Sequence, residues 1–230
     1  MIALIDSDTP IFAAALSAEG AESWIAISRL DKTINNLLDA VGCSSYKLFV
    51  SGEGNFRYDI DPSYKANRTT PDPQHRKLCR EHLIEKWGAI SVPSLEADDL
   101  CGIYQSEDTV ICGIDKDLLQ IPGKHYQWEI IRKGLLIREA RFLDVAQVEG
   151  LRNFYKQVLT GDTSDNIIGI HGIGPVKASK LIDHLVDEGD MIEVVKELYN
   201  DSERFIRNCN LLWIMRELGV IYEDRSKFTC

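Results

Sequence analysis

The chain lacks what would commit it to a membrane or to an oxidising compartment. No stretch approaches the ~20 consecutive apolar residues that a spanning helix needs, although hydrophobic residues make up 44% of its 230 positions. Its first residues, Met1-Ile2-Ala3-Leu4-Ile5-Asp6, reach an acid too soon for a secretory signal. The expectation is a cytoplasmic protein with no membrane partner. Cysteine is present but unorganised. Cys43, Cys79, Cys101, Cys112, Cys209 and Cys230 include no Cys-x-x-Cys pair, which reads as buried, reduced thiols. Low-complexity segments and internal repeats are absent. So is a basic excess: the net charge is -10, which by itself argues against a nucleic-acid partner.

The distribution of that charge matters more than its sum. Nine of the carboxylates fall in four clusters: Asp6/Asp8, Glu96-Ala97-Asp98-Asp99, Asp115-Lys116-Asp117 and Asp162-Thr163-Ser164-Asp165. Without them the remainder is nearly neutral. Each cluster sits where an apolar run ends or a helix begins, positions that can converge in one fold. Converged carboxylates repel one another unless cations hold them together, and hard divalent ions with oxygen ligands are the matching chemistry.

The hydrophobic pattern predicts α/β architecture, a mainly parallel central sheet flanked by helices. Ile2–Ile5, Lys47–Val50 and Thr109–Ile114 are short apolar runs typical of buried strands. Between them lie predicted helices at Ile27–Leu38, at Pro73–Trp87 and from Glu96, and such alternation indicates a parallel sheet. Ligands of these sheets bind at the carboxyl ends of the strands, where Asp6 and Asp115 fall. From about Asp144 the pattern becomes helical: Leu151–Leu159, Pro175–Leu185, Met191–Tyr199 and Ser202–Leu218, with Gly219–Tyr222 the one candidate strand. The expected division is an α/β core over 1–143 and a helical region over 144–230.

Three features carry chemistry. Glu96/Asp99 and Asp162/Asp165 are each three apart, which on a helix places them on one face; a helix cap or solvated turn is the plainer reading of any one pair. Two-metal phosphodiester cleavage needs such a set, the ions lying ~3.5–4 Å apart. Second, the segment from Lys65 to Arg80 is basic: Lys65, Arg68, Arg76, Lys77 and Arg80 face a single acid, Asp72. Phosphate binding needs such groups. Third, Gly169-Ile170-His171-Gly172-Ile173-Gly174-Pro175 is a glycine turn opening a helix, where backbone can approach a phosphate and Lys177 adds charge.

These motifs, in this order, resemble the flap endonuclease/5′→3′ exonuclease family, which includes the 5′-nuclease domain of bacterial DNA polymerase I and the bacteriophage 5′ exonucleases. The resemblance rests on Tyr64-Lys65-Ala66-Asn67-Arg68, Glu96-Ala97-Asp98-Asp99, Asp115-Lys116-Asp117, Gly161-Asp162-Thr163-Ser164-Asp165-Asn166 and Gly172-Ile173-Gly174-Pro175, and spans residues 2 to about 186. It implies a PIN-like 5′-nuclease fold with a helical arch region at about 56–90 in the core and a helix–three-turn–helix element that makes 144–230 the DNA-binding region. It implies a structure-selective 5′ nuclease that uses two or more Mg2+ or Mn2+ ions and leaves 5′-phosphate and 3′-hydroxyl ends. Asp6, Glu96, Asp98 and Asp115 would form the first metal site; Asp115, Asp117, Asp162 and Asp165 the second, with Asp98 or Asp115 between. Lys65 and Arg68 would contact the scissile phosphate, with Asp115 counted as catalytic. Arg57, Gly172, Gly174 and Lys177 would bind DNA, and the Ile170 and Ile173 carbonyls a monovalent cation such as K+. The implied partners are DNA with a 5′ end or a single-strand/duplex junction and a replicative polymerase, for a monomeric enzyme.

The chain departs from the family once. An acid usually follows the second strand, but here the run is Phe49-Val50-Ser51-Gly52-Glu53. Ser51 or Gly52 stands at that position; Glu53 from a shifted backbone, or a water, would fill it. Two other readings compete with a DNA 5′ nuclease: an RNA-acting nuclease of the related sheet architecture, and a non-catalytic DNA-binding protein that has lost one metal site.

Overall fold

The computed structural model describes residues 1–225; Cys230 lies outside the described residues. The other five cysteines are free thiols and all are buried. Among the described residues no helix is long and apolar enough to cross a membrane. The chain folds as two compact units.

The first unit contains Met1–Gly54, Thr70–Leu118 and Gly123–Asp144. Its chain order begins with β1 (Ile2–Asp6), α1 (Asp8–Ser17), α2 (Ser23–Val41) and β2 (Ser45–Phe49). After the short helix α3 (Arg57–Ile60) of the other unit come α4 (Arg76–Trp87), α5 (Ala97–Tyr104) and β3 (Thr109–Cys112). A 3-10 turn (Asp117–Gln120) leads to β4 (Gly123–Gln127), β5 (Ile130–Arg132), β6 (Leu135–Arg138) and β7 (Arg141–Val145). Five strands form one sheet in the order β2-β1-β3-β4-β7. The β1–β2, β1–β3 and β3–β4 pairs are parallel, and Asp6 pairs with Phe49 in register. Residues just after β1, β2 and β3 therefore emerge at one edge of the sheet.

The register follows from the side chains. Ala3, Leu4 and Ile5 are fully buried, as are Phe49, Ile111 and Cys112, and a parallel sheet covered on both faces requires such unbroken apolar strands. α2 buries Ala26, Leu30, Ile34, Leu37 and Val41 at helical spacing and ends at Gly42, whose φ of 63° is the left-handed cap. α4 turns Cys79 and Leu83 inward and packs on α1 and α2. Asp31 of α2 joins this packing through hydrogen bonds with His82 Nε2 and from Trp87 Nε1, both 2.7 Å, with Lys86 Nζ at 3.7 Å.

The second unit comprises Asn55–Thr69, Leu119–Pro122 and the chain from Val145 onward. It contains α3, then α6 (Gln147–Thr160), the two-residue strands β8 (Gly161–Asp162) and β9 (Ile167–Ile168), α7 (Pro175–Ile182), α8 (Glu188–Tyr199), α9 (Ser202–Leu212) and α10 (Tyr222–Arg225). Its core is aromatic: Phe154, Tyr155, Phe205, Trp213 and Tyr222 pack with ring centroids 5.0–6.4 Å apart. The Tyr155 hydroxyl is 3.0 Å from that of Tyr222 and donates to Glu188 Oε1 at 3.0 Å.

Several expectations change. Residues 55–69, expected with the core, belong to the second unit. In place of a helical arch at 56–90 there is a one-turn helix, a run of turns and α4, whose buried side chains face the first unit's core. Arg57, expected to bind DNA, is only 2% exposed. It donates through Nε to the Leu211 carbonyl and through Nη2 to that of Trp213, both at 2.8 Å. Gln120 Nε2 donates to the Leu212 carbonyl at 3.0 Å. These donors satisfy carbonyls that the end of α9 leaves without helical partners, and α9 accordingly stops at Leu212 instead of running to Leu218. Gly219 lies in a turn, not a strand. α1 and the strands β4 to β7 are additions to the predicted elements.

Two outcomes follow from this packing. Arg57→Ala should lower the unfolding free energy by about 3 kcal/mol, because it strands buried carbonyls; chemical denaturation measures this. Asp31 supplies the pH dependence. Burial opposes its ionisation, but hydrogen bonds from His82 and Trp87, with the charges of His82 and Lys86, hold its carboxyl below the usual range. A depressed folded pKa gives stability that is full above the unfolded value of ~3.9 and lost as pH falls through the folded one. Asp31→Asn should therefore cost on the order of 1 kcal/mol at pH 7, a difference that shrinks in urea titrations at pH 3.

Candidate active site

The first unit gathers acids at the carboxyl edge of its sheet. Asp6 ends β1 and is 8% exposed; its Oδ1 accepts the Asp8 amide at 3.2 Å. Burial, then the charges of Asp8, Asp115 and Glu96, push its carboxyl up to about 8. Asp115 stands three residues beyond β3, exposed, with Oδ1 accepting the Asp117 amide at 3.0 Å. Asp117 pairs with Lys116 at 3.7 Å. A Cβ on Gly113, between β3 and Asp115, would lie 2.2 Å from Leu118 Cδ1, so the Leu118 side chain would have to shift to admit one.

Glu96 and Asp99 are joined by a reciprocal capping box at the start of α5. The Glu96 side chain accepts a backbone amide of the first turn, and Asp99 Oδ2 accepts the Glu96 amide at 3.2 Å. Asp99 is fully buried, whereas Glu96 and Asp98 are half-buried. The plainer reading of the pair thus holds for Asp99, and the box fixes the backbone that carries Glu96 and Asp98. Below them lies the buried Cys101 thiol, raised well above its ordinary pKa by burial and by the charges of Asp6, Asp98 and Asp8.

The second unit holds the other acids and the basic motif together. Asp162 and Asp165 are not on a helix; they bracket the turn between β8 and β9. Asp162 Oδ1 accepts the Ser164 hydroxyl, the Ser164 amide at 2.8 Å and the Asp165 amide at 3.3 Å, while Gln157 donates to Oδ2 at 3.3 Å. Two glycines permit this turn. Gly161, at φ 72°, would place a Cβ 2.3 Å from the Gly169 nitrogen, and a Cβ on Gly169 would meet the Thr160 carbonyl carbon at 2.2 Å.

Asp165 binds the basic motif directly. Arg68 Nη2 donates to its Oδ1, the Tyr64 hydroxyl donates to its Oδ2 at 3.0 Å, and Lys65 Nζ lies 3.8 Å from Oδ2. The Lys65 amide donates to the Asp165 carbonyl at 2.9 Å, with Lys65 at φ 56° in the left-handed region. Farther along, Gly172 has φ 77° and Pro175 opens α7 after Gly174. Gly172, Gly174 and Lys177 are exposed. The Ile170 carbonyl accepts the Ile173 amide at 3.1 Å, and Arg204 and Asn208 tie down the carbonyls of Ile168 and Gly169.

Each unit thus brings part of the predicted set together: Asp6, Glu96, Asp98, Asp115 and Asp117 in the first, Lys65, Arg68, Asp162 and Asp165 in the second. Arg57 drops out. Tyr64, Gly161 and Gly169 were not singled out as site residues, although all three lie within or beside the quoted motifs. Among the described residues no three His, Cys, Asp or Glu side chains are close enough to enclose a metal ion. Mg2+ keeps several waters and is commonly held by one or two carboxylates plus substrate phosphates. The donor set fits that open mode, and the raised Asp6 marks where positive charge would be favoured.

A mostly parallel sheet flanked by helices, with acids at its carboxyl edge and a glycine turn opening a helix, defines a PIN-like 5′-nuclease fold. Solved structures with this fold include bacteriophage T5 flap endonuclease in a complex with DNA and metal ions (TM-score 0.67, 15% identity, 90% of this chain and 86% of that one). The catalytic core of Rad2 with a DNA substrate also matches (TM-score 0.57, 15% identity, 100% and 67%). In sequence the chain is similar to the 5′-3′ exonuclease of Bacillus subtilis, 31% identical over 177 residues, covering 70% of this chain and 54% of the relative. It is similar also to DNA polymerase I of Rhizobium leguminosarum, 29% identical over 181 residues, covering 74% of this chain. The chain spans about half of the exonuclease and 18% of that polymerase. No family model matches. The chain is accordingly related to the flap endonuclease and 5′→3′ exonuclease family.

The glycine pair predicts a graded outcome. Gly161→Ala should destabilise by more than about 2 kcal/mol, because clash adds to the left-handed strain. Gly172→Ala, with open space around its Cβ position, should cost only about 1 kcal/mol. Equal losses in denaturant titrations would contradict the close approach of backbone at Gly161.

Proposed function

We propose that the chain is a structure-selective 5′ nuclease hydrolysing DNA phosphodiesters, as a 5′→3′ exonuclease or a 5′-flap endonuclease, and leaving 5′-phosphate and 3′-hydroxyl ends. The observation that carries the reading is the acidic set at the carboxyl edge of the sheet, in a chain related to a 5′-3′ exonuclease. Divalent ions, Mg2+ or Mn2+, supply Lewis acidity and a hydroxide nucleophile when bound.

The roles proposed for the chain's own residues follow the family resemblance. Asp6, Glu96, Asp98 and Asp115 of the first unit would hold one ion; Asp117 of the first unit, and Asp162 and Asp165 of the second, are the further carboxylates that the resemblance assigns to metal. Lys65 and Arg68 are the phosphate-binding cations; their contacts with Asp165 keep both side chains ordered. The exposed turn at Gly172 and Gly174, with Lys177, receives duplex backbone, and the Ile170 and Ile173 carbonyls take K+. The substrate is DNA with a 5′ end or a single-strand/duplex junction. A monomer working in the cytoplasm beside a replicative polymerase completes the proposal, with 1–143 as the nuclease core and 144–230 as the DNA-binding region, apart from 55–69 and 119–122 as described above.

Asp115→Asn should reduce cleavage of a 5′-labelled flap substrate by roughly 100-fold or more, and EDTA should abolish it in the parent. Full activity of the variant in Mg2+ would remove the mechanism, and products with 5′-hydroxyl ends would remove the proposed bond cleavage.

A further inference from the structure

The resembling family carries an acid after the second strand, at the position of Ser51 or Gly52 here, and the first unit brings a carboxylate to Ser51 from another element. The Ser51 amide donates to Asp8 Oδ1 at 3.3 Å, and the Ser51 hydroxyl donates to Asp8 Oδ2. The same hydroxyl oxygen accepts the Ala97 amide at 3.1 Å, at the start of α5. Arg80 Nη2 donates to the Ser51 carbonyl at 3.0 Å and to Ser91 Oγ at 2.8 Å, so the chain after β2 is fixed. Gly52 presses against Val92: a Cβ there would lie 1.9 Å from the Val92 carbonyl oxygen. Ser51 therefore has a set place, and it holds both oxygens of Asp8.

A carboxylate offers about four acceptor positions, and Ser51 takes two of those on Asp8. Asp8 also lies beside other acids: its amide donates to Asp6 Oδ1 at 3.2 Å, and the Ser51 hydroxyl that binds its Oδ2 meets the amide of Ala97, the residue between Glu96 and Asp98. Glu53, the other acid near this strand end, is exposed, and its carbonyl accepts the Ser94 amide at 3.0 Å.

We propose that Asp8 supplies to the divalent-cation site the carboxylate that this chain lacks at Ser51, with Ser51 as its positioning residue. The inference rests on the divalent-cation reading above. In this arrangement the carboxylate comes from the start of α1, and Ser51, after β2, orients it. A purely structural Asp8 would serve only to complement the N-terminus of α1.

Thermal melts separate the two roles. The full-length parent, Asp8→Asn, Ser51→Ala and the double variant S51D/D8N are each melted in EDTA and in Mg2+, with Mg2+ titrations by calorimetry. In EDTA, Asp8→Asn should melt within about 2 °C of the parent or above it, since a charge repelling Asp6 has gone. In Mg2+ its gain should be smaller than the parent's, with affinity down about 10-fold. Ser51→Ala should weaken Mg2+ binding less, and S51D/D8N should restore it. If Asp8→Asn loses the same melting temperature in both buffers and binds Mg2+ as the parent does, this inference fails and the nuclease reading stands. A parent that binds no Mg2+ overturns both.

Discussion

Repulsion between carboxylates is the constraint on which this structure turns. A parallel sheet delivers the residues after β1 and β3 to one edge, and this chain puts acids there. Burial makes the conflict sharper, because Asp6 is nearly enclosed while facing Asp8, Asp115 and Glu96. The fold responds by spending backbone amides and hydroxyls on its acids. Asp99 is consumed in a capping box, Asp162 collects donors from its own turn, and Asp8 is held by Ser51. Each arrangement fixes a carboxylate that would otherwise swing away from its neighbours. What remains unbalanced is negative charge at the carboxyl edge of the sheet, around Asp6.

Much of this was legible in the sequence because the strongest signals are local. The apolar runs of β1, β2 and β3 are short and uninterrupted, and α2 carries a clear one-sided stripe. The acidic motifs fall at element ends, where turn and cap chemistry also announces itself. α1 escaped because Asp8–Ser17 is apolar around its circumference: Ile11 and Ala15 are buried while Phe12 and Leu16 are exposed. β4 was hidden by the polar residues it buries, His125 and Gln127. β5 and β6 form a hairpin with Leu135, Leu136 and Ile137 all exposed, so no alternation marks them.

The errors of interpretation share one cause: partners distant in sequence. Arg57 reads as a surface cation until the carbonyls 154 and 156 residues away are seen around its guanidinium. The same long-range contact explains why 55–69 belongs with the helical unit and why α9 stops early. Ser51 likewise has its carboxylate partner, Asp8, 43 residues back along the chain. Local pattern identifies which residues are unusual, and tertiary structure decides whether they serve packing or chemistry.

Lys65 carries a further consequence. Its backbone lies in a region that L side chains other than Asn and Asp enter at a cost on the order of 1 kcal/mol, and glycine would sit there without strain. Selection for folding alone would favour glycine or asparagine at this position. A lysine retained there exchanges conformational comfort for a cation delivered at a set angle, held by Asp165 through both backbone and side chain. The position is therefore a point of tension between robustness and use. A screen rewarding thermal endurance alone would be expected to erode it first, leaving a sturdier chain with its charge misplaced.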